Sequence, residues 1–172
     1  MKIILLGYMG SGKTTVGKQF SNKMGIPFYD LDHYIATEEK ATIPQIFKDK
    51  GEIYFRKIEH RYLKEFLQQK KMYILSLGGG TPCYAGNMEL ITNQKEIRSV
   101  YLEASISTLI TRISENKQER PLLASLSSEK ITEFVAKHLF ERRKFYEKAQ
   151  YSISVDKKDI DTIVAEMKTQ LF

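Results

Sequence analysis

Apolar and polar residues occur along the chain in blocks that predict strands and helices in turn. Residues 2–6 form a short apolar run that ends at a glycine-rich stretch, and residues 13–24 follow with a helical pattern. A second short strand is expected from Pro27, with Asp30 and Asp32 at its carboxyl end. The beginning of the chain therefore reads as strand, loop, helix and strand.

A long amphipathic helix is predicted over residues 52–69, because apolar side chains recur there at spacings of three and four. These positions are Phe55, Ile58, Tyr62, Leu63, Phe66 and Leu67. The later elements are strands at 74–77, 96–102 and 151–155, helices at 105–114, 129–148 and from 158, and a polar flap at 115–128. This alternation predicts an α/β fold with a mainly parallel sheet covered on both faces and an active site at the carboxyl ends of its strands.

Length and composition are those of one globular domain spanning residues 1–172. The chain has 42% hydrophobic and 28% charged residues, which is ordinary for a folded protein. The first apolar run is too short for a signal peptide or a membrane span, so we expect a cytoplasmic protein. Cys83 is the only cysteine and the three histidines match no zinc spacing, so neither a disulfide nor a structural metal is indicated.

The formal net charge of +6 is distributed in a way that argues against a nucleic-acid surface. Basic residues alternate with acidic ones, as in residues 57–61 and 137–148, which is typical of solvated helix faces. We therefore expect no nucleic-acid partner and no membrane partner. No segment stands out as an association helix, and we expect a monomer.

Residues 7–14 match the phosphate-binding loop pattern G-x-x-x-x-G-K-[ST] in full, with an extra glycine at position 10. The loop follows a predicted strand and opens a predicted helix, so its backbone N–H groups can converge on phosphate oxygens. Lys13 is expected to reach the β- and γ-phosphates of ATP, and the Thr14 hydroxyl to hold Mg²⁺. This motif is shared by GTPases, ATPase motors and small-molecule kinases. It therefore indicates the phosphoryl donor but does not identify the reaction.

Two clusters near predicted strand ends carry groups suited to phosphorylating a carboxylated alcohol. Of the two carboxylates, Asp30 and Asp32, one can interact with Mg²⁺ and the other can accept the proton of the attacking hydroxyl. The alternative is a helix-capping aspartate with a surface neighbour. Arg56 lies on the long helix, where Glu59 can tether it and aim its guanidinium at a carboxylate, although a plain surface ion pair has the same spacing.

A run of three glycines and two further arginines complete the candidate residues. Gly78, Gly79 and Gly80 indicate a loop that needs unusual dihedrals or a close backbone approach to a ligand. Arg120 lies in the flap, where a closing arginine can meet the transferring phosphoryl group. Arg142 is a second guanidinium for an acceptor carboxylate, although an arginine taken alone at either position is more often a solvated surface residue.

Taken in order, the motifs resemble those of the shikimate kinase family. They are the phosphate-binding loop, Asp-Leu-Asp at 30–32, Phe-Arg-x-x-Glu at 55–59, the glycine run, Arg-Pro-Leu-Leu at 120–123 and Arg-x-x-x-Tyr at 142–146. The resemblance covers roughly residues 2–150. It implies a P-loop fold of the nucleoside-monophosphate kinase type, a three-layer sandwich with a five-stranded parallel sheet in the order 2-3-1-4-5. A lid at about 115–128 and a substrate-binding helical region at about 31–60 are implied as well.

The resemblance also implies the reaction and the roles of single residues. The reaction is transfer of the γ-phosphoryl group of ATP to the 3-hydroxyl of shikimate, with Mg²⁺. The nucleotide residues are Gly10, Ser11, Gly12, Lys13, Thr14, Thr15, Arg112, which stacks on adenine, and the lid residue Arg120. The acceptor residues are Asp32, Arg56, Gly78, Gly79, Gly80 and Arg142. Asp32, Lys13 and Arg120 are the catalytic residues, and Thr14 and Asp30 belong to the metal.

Other activities remain as rivals at this point. A kinase of the same fold that acts on a nucleoside monophosphate usually carries Asp-Gly-x-Pro-Arg after the third strand, where this chain has Gly-Gly-Gly-Thr-Pro. The His-Pro signature typical of gluconate kinases is absent. A nucleotide-dependent switch or a nucleic-acid-stimulated ATPase is a rival from another class, motivated by the phosphate loop and the basic pI.

Overall fold

The computed structural model describes residues 1–69, 71–115 and 127–172, and within them five parallel strands form one sheet. The strands are β1 (Lys2–Leu6), β2 (Phe28–Asp30), β3 (Tyr73–Ser76), β4 (Ile97–Glu103) and β5 (Tyr151–Ser154). Their spatial order is β2-β3-β1-β4-β5, and all four strand pairings are parallel. The predicted sheet and its order are therefore confirmed.

Helices connect these strands throughout the described residues. They are α1 (Lys13–Met24), α2 (Leu31–Glu38), α3 (Ile43–Gln68), α4 (Asn87–Thr92), α5 (Ile106–Glu115), α6 (Ser128–Tyr146) and α7 (Ile160–Leu171), with a short 3₁₀ turn at Thr81–Cys83. The prediction for α1 is confirmed, and the strands and the other predicted helices agree within a few residues. The prediction missed α2, α4 and residues 43–51 at the start of α3.

Two local features explain the helices that the sequence pattern missed. Asp30 caps α2, since its Oδ1 accepts hydrogen bonds from the backbone N–H groups of Asp32 at 3.1 Å and His33 at 3.3 Å. Asp32 therefore lies in the first turn of a helix and not at the end of a strand. In α3, Gly51 has φ 80° and ψ 171°, which kinks the helix one residue before the predicted start.

The sheet lies between helices, as the burial of its central strands shows. All five residues of β1 and all four of β3 are buried, although successive side chains point to opposite faces. Helix α1 packs against α7 and contacts β1, β2 and β3, while α3 packs against α2 and α4. Among the described residues, no helix combines the length and apolar character needed to cross a membrane.

Strand register brings the sequence motifs to one edge of the sheet. Leu5 on β1 pairs with Ser76 on β3, and Asp30 on β2 pairs with the same residue from the other side. The Leu77 backbone N–H then donates to the Leu5 carbonyl at 3.0 Å. The phosphate-binding loop, the glycine run and the start of α2 therefore leave the sheet at the same level.

We predict that Gly17→Ala destabilises the fold, although alanine is usually favoured over glycine inside a helix by about 1 kcal/mol. A β-carbon at position 17 would lie 2.4 Å from Phe28 Cε2 and 2.9 Å from Leu5 Cδ1, so β2 or α1 must move. Overpacking of this kind costs about 1–3 kcal/mol, and urea denaturation should show a lower free energy of unfolding. Lys18→Ala, at an exposed position on α1, is the control, with an expected change within about 0.5 kcal/mol. A Gly17→Ala protein as stable as the parent would contradict the close packing.

Candidate active site

The phosphate-binding loop holds its lysine in place before any phosphate arrives. Lys13 is buried, and its Nζ donates to the carbonyl oxygens of Gly7 at 2.9 Å and Tyr8 at 3.1 Å. Helix α1 begins at this lysine, so its free N–H groups and its positive dipole end face the same space. The loop has the arrangement that anionic phosphate oxygens require.

Thr14 and Asp30 join the donor loop to the second strand. The Thr14 hydroxyl donates to Asp30 Oδ2 at 3.0 Å, while Oδ1 of the same carboxylate caps α2. Asp30 is therefore a capping residue, as one of the two interpretations held, and it also faces the phosphate loop. A hydroxyl and a carboxylate are hard oxygen donors of the kind that Mg²⁺ takes, usually one or two from the protein, with water and phosphate oxygens completing the shell.

Asp32 has an unusual electrostatic environment. The pKa of its carboxyl is raised to about 6, first by burial and then by the neighbouring charges of Asp30 and Glu59, while Lys13 and Arg56 act in the opposite direction. A carboxyl with such a pKa is ionised at neutral pH but accepts a proton more readily than an ordinary aspartate. The alternative of a mere surface neighbour does not fit this environment.

The predicted tether of Arg56 is present. Its Nη1 donates to Glu59 Oε2 at 2.9 Å, Glu52 approaches from the preceding turn at 3.4 Å, and its guanidinium carbon lies 3.9 Å from the ring centre of Tyr84. Glu59 is almost fully buried, so this is more than a surface ion pair. The guanidinium group is held by two carboxylates and one aromatic face.

Neighbouring side chains lie so close to the backbone at residues 78–80 that they explain why these residues are glycines. None of the three glycines has a positive φ, so unusual dihedrals are not the reason for them. A β-carbon on Gly78 would lie 2.9 Å from Asp32 Oδ1, and one on Gly80 would lie 2.9 Å from Arg56 Nη2. The backbone therefore approaches two candidate site residues closely, and a side chain at either position would displace them.

Arg142 lies beside Gly79, as Arg56 lies beside Gly80. A β-carbon on Gly79 would be 3.5 Å from Arg142 Nη1, and the guanidinium carbon lies 5.7 Å from the ring centre of Tyr8. Arg143, the neighbour with which it might be confused in sequence, instead pairs with Glu103 and Glu147 on the surface. The structure thus places Arg142, and not Arg143, beside the glycines.

The thiol of Cys83 lies near both arginines. Burial raises the pKa of its thiol to about 11, and the positive charges of Arg142 and Arg56 partly oppose this rise. The thiol is therefore neutral at physiological pH and a poor nucleophile. Both guanidinium groups therefore lie close enough to this thiol to influence its pKa.

The phosphate-loop residues and the acceptor residues Asp32, Gly78 and Gly79 line a common cavity of about 570 Å³. It is lined by Met9, Gly10, Ser11, Gly12, Lys13, Thr14, Thr15, Val16, Asp30, Asp32, Ser76, Leu77, Gly78, Gly79, Arg112, Lys158, Ile160 and Ile163. The predicted acceptor residues Arg56, Gly80 and Arg142 are not among its lining residues. Arg112, the predicted adenine contact, donates to the Gly10 carbonyl at 3.2 Å. Arg120 and the predicted lid, apart from its two ends at 115 and 127–128, lie outside the described residues.

Sequence reasoning missed several residues that build this site. Tyr8 and Tyr84 lie against the two arginines, and the Tyr146 hydroxyl donates to the Gly79 carbonyl. Thr81 donates to Glu59 from the turn that follows the glycines. Their positions next to recognised motifs were a signal, but tyrosine and threonine are so common in cores that pattern alone gives them no role.

Comparison with known proteins agrees with this geometry. The family model described as shikimate kinase matches residues 9–172. The chain belongs to the shikimate kinase family. A shikimate kinase from Flavobacterium psychrophilum is 46% identical over 171 residues, which is 99% of each chain.

Two solved structures of the family extend the comparison to three dimensions. The crystal structure of shikimate kinase from Bacteroides thetaiotaomicron has a TM-score of 0.91 at 34% identity, over 99% of this chain and 98% of that one. Shikimate kinase from Acinetobacter baumannii, solved in complex with shikimate, has a TM-score of 0.86 at 32% identity, over 99% and 92%. The fold found here is thus that of the shikimate kinases, a P-loop fold of the nucleoside-monophosphate kinase type.

We predict that Asp30→Asn lowers the pKa of Asp32, because it removes a neighbouring negative charge, while burial keeps the value above that of an ordinary aspartate. Titration of the Asp32 carboxyl carbon by NMR measures this directly. Glu96→Gln is the control, since Glu96 precedes β4 at the opposite edge of the sheet, and the Asp32 pKa should not change. An Asp32 pKa near 4 in the unaltered protein would contradict the electrostatic description.

Proposed function

We propose that this chain transfers the γ-phosphoryl group of ATP to the 3-hydroxyl of shikimate, giving shikimate 3-phosphate and ADP. The observation that carries the proposal is the shared cavity in which the phosphate-loop Lys13 and the high-pKa Asp32 both lie. The two arginines beside the glycine run, Arg56 and Arg142, would add a site for a carboxylate. A hydroxylated ring acid such as shikimate has both groups that this arrangement can recognise.

Asp32 is proposed as the general base. Its carboxylate accepts the proton of the attacking hydroxyl while the hydroxyl oxygen bonds to the γ-phosphorus and the bond to the β,γ-bridging oxygen breaks. A pKa of about 6 leaves the group ionised at neutral pH and close enough to neutrality to take the proton. Because Gly78 has no β-carbon, the Asp32 carboxylate can lie close to its backbone within the cavity.

Arg56 and Arg142 are proposed to bind the shikimate carboxylate. Guanidinium groups offer paired N–H donors in the geometry of a carboxylate, and Arg56 is already oriented by Glu59 and Tyr84. The backbone of Gly79, which lies beside Arg142, is proposed to donate an N–H group to the substrate, with Gly80 beside Arg56. The acceptor is thereby fixed by its carboxylate and reacts at its hydroxyl.

The donor side follows from the phosphate loop. Backbone N–H groups of residues 10–15 and the ammonium group of Lys13 are proposed to bind the β- and γ-phosphates, and Arg112 to cover the adenine ring. Arg120, outside the described residues, is proposed to act from the lid on the transferring phosphoryl group. Excluding water from the closed cavity would strengthen each of these charged contacts.

Mg²⁺ is proposed to bind at Thr14 and Asp30, whose oxygens already lie 3.0 Å apart at the phosphate loop. When bound, the metal would supply positive charge that stabilises the negative charge developing on the phosphate groups. Asp30 also orients the first turn of α2 through its cap, so that the same carboxylate fixes the position of Asp32.

We further propose a cytoplasmic monomer that acts on small molecules without nucleic acid. Four exposed or partly exposed basic side chains are engaged by acidic ones: Lys50 and Arg61 with Glu39, Arg143 with Glu103, and Lys148 with Glu89. Paired charges of this kind leave little excess potential to attract a phosphate backbone.

The proposed activity is tested by a coupled assay of ADP release. ADP should form when shikimate is added and not when AMP, CMP or gluconate is added, because only shikimate combines a ring carboxylate with the reacting hydroxyl. Comparable turnover of gluconate or a nucleoside monophosphate would assign the chain to another kinase of this fold. Hydrolysis that depends on added RNA or DNA would instead support a nucleic-acid-stimulated ATPase.

We predict that Asp32→Asn lowers kcat by about 10²- to 10⁴-fold, the usual contribution of a general base, with ATP affinity retained. In the unaltered enzyme, kcat should fall about tenfold per pH unit below pH 6, where Asp32 takes up a proton. Steady-state kinetics across pH measure both effects.

The same substitution gives a second, independent readout. A raised pKa means that the folded state holds the proton more tightly than the unfolded chain, so ionised Asp32 weakens the fold above pH 6. Asp32→Asn should therefore be more heat-stable than the parent at pH 8, and this gain should vanish below pH 4. Lost activity together with lower stability at pH 8 would indicate a structural role for Asp32.

A further inference from the structure

A ring of buried hydrogen bonds lies behind Arg56, outside the groups that would touch the substrate. The Thr81 hydroxyl donates to Glu59 Oε1 at 2.6 Å, and Asn87 Nδ2 donates to the Thr81 carbonyl at 2.9 Å. Asn87 Oδ1 in turn lies 2.7 Å from His60 Nδ1. Glu59 and His60 are consecutive on α3, so the ring closes through the helix backbone.

Each polar group in this ring has one defined role. Because the Asn87 amide nitrogen donates to a carbonyl, its oxygen must face His60, and Nδ1 of the histidine must carry the hydrogen that it donates. Glu59 uses one oxygen for Thr81 and the other for Arg56. Both oxygens of the carboxylate are thus engaged, and its plane is fixed.

Burial makes the ring rigid. Thr81 and Asn87 are completely inaccessible to solvent, and Glu59 is 1% exposed. Water cannot replace a partner that is lost at such a site, so removing one donor leaves a buried acceptor unsatisfied. Rotation of Glu59 would then carry the Arg56 guanidinium with it, since Glu59 is the closest of its two carboxylate partners.

We infer that Thr81, Asn87 and His60 are positioning residues for acceptor recognition: they hold Glu59 so that Arg56 points at the substrate carboxylate. The inference rests on the proposed function and adds three residues that are not among those lining the cavity of the phosphate loop. It predicts that changes in the ring raise the KM for shikimate and leave the KM for ATP unchanged. A residue that served the fold alone would not separate the two substrates.

Thr81→Val and Thr81→Ser form the central pair of variants. Valine keeps the shape of threonine but leaves Glu59 Oε1 without its donor, and we expect the KM for shikimate to rise by about five- to twentyfold. Serine keeps the hydroxyl, and its KM should stay within about twofold of the parent, since the hydrogen bond to Glu59 survives. Circular dichroism and thermal unfolding report whether each variant folds.

His60 offers a second pair at the far end of the ring. His60→Asn keeps an N–H donor near the position of Nδ1 and should leave the KM for shikimate within about twofold, whereas His60→Ala removes it and should raise that KM by about threefold. Lys64→Ala, at an exposed position one turn farther along α3, is the matched control and should change neither KM.

A double-mutant cycle with Arg56→Ala gives the deciding result. If the ring acts through Arg56, Thr81→Val should have no further effect on shikimate affinity once Arg56 is alanine, so the two losses are not additive. Additive losses, or equal KM values for shikimate in Thr81→Val and the parent, would overturn the inference alone. Absence of shikimate turnover by the parent would overturn the proposed function and this inference with it.

Discussion

Parallel pairing of β1 with β3 and β4 is the constraint on which the site depends. The pairing fixes where each chain segment leaves the sheet, and β2 joins the same edge through its pairing with β3. A shift of one residue in the β1–β3 register would send alternate side chains to the wrong face and would separate the phosphate loop from the glycine run. Full burial of both strands makes such a shift costly.

This constraint also explains the electrostatics of the cavity. Asp30 and Glu59 come from a strand and a helix, yet both lie close enough to Asp32, on a second helix, to raise the pKa of its carboxyl, while Lys13 and Arg56 oppose this rise. Crowded like charges and burial together work against folding, so the proposed general base is also a group that the fold would hold more easily in neutral form. The ionised carboxyl of Asp32 thus lowers the free energy of unfolding, and the same environment raises its pKa toward neutrality.

Much of the fold could be read from the sequence because strands and long helices carry periodic apolar patterns. The order of the five strands came from the family resemblance, since several orders satisfy an alternating pattern. Helix α4 has six residues and a glycine at its N-cap, so it offers neither periodicity nor a polar cap to recognise. Helix α2 was hidden because Asp30 looked like the end of a strand and is also a cap.

Single residues of the site were predictable where charge or glycine limits the alternatives. Lys13 belongs to a full motif match, whereas Asp32 and Arg56 each had a structural alternative, and the structure brings Lys13 and Arg56 close enough to act on Asp32. Arg56 is supported by packing against Tyr84 and by hydrogen bonds that involve Thr81 and Asn87. These contacts depend on the tertiary fold, so one sequence read by itself gives the three residues no distinguishing mark. The choice between Arg142 and Arg143 needed the direction of a helix face, which spacing alone sets only to within one residue.

The hydrogen bond from Tyr146 to the Gly79 carbonyl has a consequence for the main chain. A peptide group is planar and its C=O and N–H point in opposite directions, so holding that carbonyl also fixes the N–H of Gly80. Glycine segments usually sample many backbone orientations, and this one is restrained at its centre by a core tyrosine. Recognition by such a loop needs little reorganisation when a ligand arrives, because the flexible part of the chain has been immobilised in advance.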